Sequence, residues 1–115
     1  IVHSKGGIHK LDTSQINYIE ARGHGCVIEI FTKENNLKQV KQTEVSESIS
    51  ELEPLLPKQG FIKCHRSYLC SIQNIHHIGK TEIIFDTGSH IPVSRRLHKD
   101  VNQAFIQYFS RLAKT

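Results

Sequence analysis

Nine short runs rich in β-branched and aromatic residues follow one another along most of the chain: GIHKL, INYIEA, CVIEIFT, LKQVKQ, FIKC, SYLCSI, IHHIG, TEIIFD and HIPV. Several alternate apolar with polar residues, the period of a strand that buries one face. Turn formers divide them, at Lys5-Gly6-Gly7, Lys33 to Asn36 and Asp86-Thr87-Gly88-Ser89. A parallel crossover takes a dozen or more residues, usually a helix, and these gaps leave no room for a series of them. The pattern predicts a mostly β fold of antiparallel sheets built from short strands. Gly23 and Gly25 around His24 predict a tight exposed turn or a bulge between two of them.

Two segments depart from this period. Val45, Ile49, Leu52 and Leu56 share one helical face, with Thr43 and Ser46 as N-cap candidates and glutamates near the start, where the helix dipole favours them. Pro54 should kink or end this short internal helix after about two turns. Leu97, Val101, Phe105, Tyr108, Phe109 and Leu112 mark one side of a C-terminal helix, and Arg111 and Lys114 suit its end. At 115 residues the chain fits one domain spanning 1–115, with 37% hydrophobic and 23% charged residues in a globular balance.

No apolar run approaches the roughly 18 residues of a membrane span, and no signal peptide is visible, so a soluble cytoplasmic protein is expected. Cys26, Cys64 and Cys70 match neither a zinc module nor a disulfide framework, and reduced thiols are the simpler reading. Net charge is +4, unevenly placed. Residues 1–57 carry six Lys or Arg against eight Asp or Glu, for −2; residues 58–115 carry nine against three, for +6. A basic partner-facing surface should therefore come from the second half, though positive fields serve nucleic acids, membranes and acidic proteins alike.

Three polar clusters interrupt the apolar pattern. In FIKCHRSYLCSIQNI, residues 61–75, the stretch Lys63-Cys64-His65-Arg66-Ser67 should sit at a strand end or loop with its donors outward, since unpaired polar groups are costly to bury. In PVSRRLHK, Ser94, Arg95, Arg96, His98 and Lys99 lie at a strand-to-helix junction, where backbone N–H groups, a hydroxyl and two guanidiniums suit phosphates and base edges. The third is EARGHGC, with Arg22 and His24. Each also has a plainer reading: a solvated arginine pair, a partly buried histidine, an ordinary turn.

Together, FIKCHRSYLCSIQNIHHI, the later IPVSRRLHKDV and the earlier INYIEARGHGCVIEIFT resemble the LytTR family of DNA-binding domains, the output domains of many bacterial two-component response regulators. The resemblance covers nearly the whole chain. It implies packed antiparallel sheets whose loops, rather than a recognition helix, enter successive major grooves of direct repeats. Carried over by position, Arg66, Arg95 and His24 would contact bases, since a guanidinium can donate a bidentate pair to guanine. Arg22, Lys63, His65, Ser67, Ser94, Arg96 and Lys99 would hold the DNA backbone. The resemblance further implies duplex DNA as partner, a homodimer on DNA, and an upstream receiver or sensory domain in the same chain. The sequence departs from the family at Cys70-Ser71, where an Asn that caps backbone is common, and at Pro54, within a helix that is usually continuous.

Rival chemistries find less support. Cys64 and His65 are neighbours on a strand and point to opposite faces, and no His–carboxylate pair, phosphate loop or paired carboxylate set appears, so no enzyme is expected. The eight histidines lack ligand spacing, and neither metal nor cofactor is expected. The alternative is a protein-interaction or RNA-binding β module, but most of the eight aromatics fall on core positions instead of forming a stacking platform. Cys64 lies in the proposed contact segment, where oxidation would modulate binding if the thiol were exposed; a buried inert thiol is the simpler expectation.

Overall fold

The computed structural model describes residues 1–34 and 37–113, with side chains through residue 110. The turn expected over Lys33 to Asn36 and the places expected for Arg111, Leu112 and Lys114 lie wholly or partly outside the described residues. Ten strands and two helices are present among the described residues: β1 (Val2–Ser4), β2 (Gly7–His9), β3 (Ile16–Arg22), β4 (Gly25–Glu34), β5 (Leu37–Val45), α1 (Ile49–Leu52), β6 (Phe61–His65), β7 (Tyr68–Ser71), β8 (Ile75–Ile78), β9 (Glu82–Phe85), β10 (His90–Pro92) and α2 (His98–Ala113). The fold is mostly β, as the alternation predicts, and all nine quoted runs contribute a strand.

Every strand pairing is antiparallel. A five-stranded sheet in the order β5-β4-β3-β7-β6 forms the middle layer, with a three-stranded sheet β10-β9-β8 and the hairpin β1-β2 beside it. Side chains alternate across the middle sheet and feed two cores. On one face Tyr18, Cys64 and Cys70 pack with Ile75, Ile83, Phe85, Ile91 and Val93 of the smaller sheet region and Val101 of α2. On the other, Ile19, Cys26, Ile28 and Leu69 pack with Val2 of β1 and Leu52 of α1. Irregular registers next to Asn17, Cys64 and His76 adjust this alternation locally.

The internal helix corrects the expectation. Val45 ends β5 and Thr43 lies within that strand, so neither begins a helix. Ser48 is the N-cap instead: its hydroxyl accepts from the Glu51 N–H, and the Glu51 carboxylate accepts from the Ser48 N–H, a reciprocal capping box. The α-helix lasts one turn and passes into a 3-10 turn at Glu53–Leu55 containing Pro54, which lacks the N–H an α-helix would need there. Val45, Ile49, Leu52 and Leu56 nevertheless meet in one core, so the periodicity identified shared burial and not conformation.

Two polar arrangements hold the layers in register. Buried Glu29 accepts from Asn17 Nδ2 at 3.0 Å and from the Tyr18 hydroxyl at 3.4 Å, while Gln42 donates to that hydroxyl at 2.9 Å. Burial and the Glu29 charge push the Tyr18 phenol up to about 12. The amide that Cys70-Ser71 does not supply comes from Asn74, whose Nδ2 donates to the carbonyls of Ile16 at 2.8 Å and Ser14 at 3.2 Å.

Glu47 fastens β1 to the segment after β5. The His3 N–H donates to its carboxylate at 2.9 and 3.1 Å, and the His3 ring Nδ1 lies 2.7 Å from Oε2. These bonds lower the carboxyl from its ordinary 4.5 to about 2. A depressed carboxyl stabilises fully above its unfolded value and loses that contribution as pH falls toward its folded value. Thermal unfolding scans should therefore show Glu47→Gln less stable than the natural chain above pH 4.5, with the gap closing toward pH 2. A gap independent of pH would contradict this role.

Candidate nucleic-acid interface

Two hairpins turn at the same end of the middle sheet. In β3–β4, Arg22 pairs with Gly25, leaving Gly23-His24 as a two-residue turn with Gly23 at φ +60°, the left-handed region that favours glycine. His24 is exposed at its tip. Gly25 is required for space: a Cβ there would collide with the Val45 carbonyl oxygen and come within 3.3 Å of Ser46 Cα.

In β6–β7, His65 pairs with Tyr68, so only Arg66 and Ser67 form the turn, while Lys63, Cys64 and His65 belong to the strand. Of the two alternatives expected for this stretch, the strand end holds for Lys63 to His65 and the loop for Arg66 and Ser67 alone. The Ser67 N–H donates to His65 Nδ1 at 3.1 Å, and the imidazole edge meets the Tyr68 ring at 5.6 Å between centroids. An Nδ1 that accepts leaves the neutral ring's hydrogen on Nε2, which remains a donor.

Backbone hydrogen bonds draw a third segment to this rim. The Ala21 N–H donates to the Ser67 carbonyl at 2.8 Å, joining the two hairpins. The Ser94 N–H donates to the Cys64 carbonyl at 2.9 Å, joining the junction before α2 to β6. Ser94 Oγ accepts from the Leu97 N–H at 3.3 Å and so caps the turn of residues 95–97 that leads into α2. Arg66 and Arg95 thus each follow closely on a partner of the Cys64–Ser94 bond.

Arg66, Arg95, Arg96 and Lys99 are exposed and make no ion pair or side-chain hydrogen bond among the described residues. Two predicted contact residues differ. Arg22 already donates to Glu20 at 2.9 Å, so its charge is partly spent. Lys63 pairs across the sheet with Leu69 and faces the α1 side, in a groove with Ser50, Glu53 and Pro54, so the fold does not bring it to the others. Lys80, which the sequence reading passed over, stands in the β8–β9 turn and lines a groove with Arg95 and Lys99. Its only signal was a lysine in a turn, GKT, and no local pattern links that turn to α2.

All three cysteines are buried, Cys64 and Cys70 completely. Contact with the Cys64 thiol and burial push the Cys70 thiol well above its usual range, and burial raises Cys26 to about 11. The complete burial of Cys64 favours the inert-thiol reading over an accessible one. Among the described residues no three His, Cys, Asp or Glu side chains gather as a metal site, and no helix is long and apolar enough to cross a membrane.

Residues 6–106 match the family model for the LytTr DNA-binding domain. An uncharacterised response regulatory protein of Yersinia pestis is 28% identical over 112 residues, covering 86% of this chain and 47% of that protein. One from Vibrio vulnificus is 31% identical over 105 residues, covering 80% and 43%. The chain thus spans less than half the length of these curated relatives. A solved structure from Bacillus cereus, described as the LytTr DNA-binding domain of a response regulator, superposes with a TM-score of 0.70 at 25% identity over 90% of this chain and 92% of that one.

Proposed function

Because this chain belongs to the LytTR family of DNA-binding domains, we propose that it binds duplex DNA sequence-specifically as the output domain of a cytoplasmic two-component transcription regulator. The observation that carries this reading is that backbone hydrogen bonds join the two hairpin turns and the junction before α2, segments whose exposed cations Arg66, Arg95 and Arg96 make no ion pair or side-chain hydrogen bond among the described residues, with Lys99 in a groove beside Arg95. A core needs none of these charges, and a polyanion satisfies all of them.

In this reading Arg66, Arg95 and His24 face base edges, while Ser67, Ser94, Arg96, Lys99 and the His65 Nε2 donor hold phosphates. Arg22 contributes only if DNA draws it from Glu20, and Lys63, on the α1 side of the sheet, lies outside this surface. The response regulatory relatives support an upstream receiver domain in the same chain, and this reading adds the pairing of two copies on direct repeats. Phosphorylation would then act by raising the effective concentration of one domain beside the other.

Salt titration of binding to duplex fragments tests the core of this. With about 4 to 8 phosphate contacts, log K should fall with log salt at a slope of about −0.9 per contact. A slope near zero, or tighter binding to single-stranded RNA than to any duplex, would overturn it.

A further inference from the structure

The groove that contains Lys80 runs from Arg95 along one face of α2, past His98, Lys99 and Asn102, to Ile106. Its opposite wall is the turn between β8 and β9. Three cations, Lys80, Arg95 and Lys99, open onto it, and no carboxylate lines it. The nearest acidic side chain in sequence to Lys80, Glu82, is 3.2 Å from His90 Nδ1.

The wall is built, not incidental. His98 Nε2 lies 2.7 Å from the Gly79 carbonyl oxygen, which can only accept, so this nitrogen carries the hydrogen. His98 Nδ1 then accepts from Asn102 Nδ2 at 3.1 Å. The Gly79 N–H closes its own turn on the Glu82 carbonyl at 2.8 Å, and the Val93 N–H bonds to the Thr81 carbonyl at 3.0 Å. His98 Nε2 thereby pins the turn against α2, while Asn102, one helical turn on, holds the ring through Nδ1. Lys80 is left exposed at a fixed distance from the helix, with no partner among the described residues.

We infer that this groove seats the sugar–phosphate backbone of the same duplex beyond the stretch met by the rim, with Lys80 a phosphate contact and His98 the positioning residue behind it. The inference rests on the proposed DNA-binding function. Its support is that the charged side chains lining the groove, Lys80, Arg95 and Lys99, are all cations, and that the groove continues, through Arg95 and the Ser94–Cys64 bond, to the hairpin turns.

The test is salt-dependent binding of the natural chain and of Lys80→Ala to duplexes of two lengths. Lys33→Ala serves as a control for bulk charge, since Lys33 lies at the far end of β4, away from the rim. Lys80→Ala should lower affinity for long duplexes of any sequence by roughly 5- to 10-fold at about 0.1 M salt and reduce the salt slope by about 1. On duplexes trimmed to the shortest length that still binds, its deficit should vanish, and Lys33→Ala should match the natural chain throughout. His98→Phe should reproduce the Lys80→Ala slope while keeping its lysine. An unchanged slope in Lys80→Ala, alongside weakened binding by Arg66→Ala, overturns the groove alone. Equal losses from Lys80→Ala and Lys33→Ala do the same. No effect from Lys80, Arg66 or Arg95 replacements overturns the underlying reading as well.

Discussion

Gly25→Ala is expected to destabilise the chain by about 3 kcal/mol and to lower the unfolding midpoint by on the order of 10 °C. The added carbon has no free direction. It points at the Val45 carbonyl oxygen, with the Val45 carbonyl carbon at 3.2 Å and Ser46 Cα at 3.3 Å, and all three are main-chain atoms that no rotamer change can move aside. Gly23→Ala is the informative companion, since nothing lies within 4 Å of its Cβ position and only the backbone at φ +60° resists. That costs about 1 kcal/mol. Thermal unfolding of both variants checks the ranking, and a Gly23 variant less stable than the Gly25 variant would contradict it. Where Gly25→Ala still folds, the β3–β4 turn must shift relative to β5, so duplex binding should weaken more than the stability loss alone explains.

The second large effect falls on recognition. With a preferred duplex recovered by selection from a random pool, Arg66→Ala and Arg95→Ala should each reduce discrimination against a scrambled duplex by about 1–3 kcal/mol, roughly 5- to 150-fold. Lys99→Ala and Arg96→Ala should weaken both duplexes alike. Arg66→Lys separates charge from shape: it should keep the salt slope and lose discrimination, because an ammonium cannot present two parallel donors to one guanine. Folding should be unaffected, as all four side chains are exposed. Equal, sequence-blind losses from all four alanine variants would contradict the division of roles.

Much of the architecture is legible because short β-branched and aromatic runs divided by turn formers mark strands; period-2 alternation survives around Ile83, whereas the strands around Tyr18, Ile28 and Leu69 are buried on both faces by the two cores. The internal helix is shorter than the spacing predicts because Val45, Ile49, Leu52 and Leu56 line one core from a strand, a single α-turn and the chain beyond it. Spacing reports which side chains are buried together and not the backbone between them. The capping box at Ser48 and Glu51 was present in the sequence and outweighed Ser46 because only Ser48 stands three residues before a glutamate that reaches back.

The rim was legible as three separate clusters, but their convergence depends on bonds such as Ala21 to Ser67 and Ser94 to Cys64, between residues far apart in the chain. Local reading offers no access to such bonds. The same limit explains Lys63, placed by chain proximity beside Arg66 yet turned to the α1 face by strand alternation, and Lys80, distant from α2 in sequence yet held to it by His98.

The hydrogen bonds that assemble the rim come largely from the main chain, with side-chain help from His65 and Ser94, whereas the exposed arginines take no part in them. Descendants of this fold can therefore exchange the identities at 66, 95 and 96 one at a time without renegotiating the packing beneath. On the proposed DNA-binding reading, such a scaffold would let sequence preference change while the shape stays inherited.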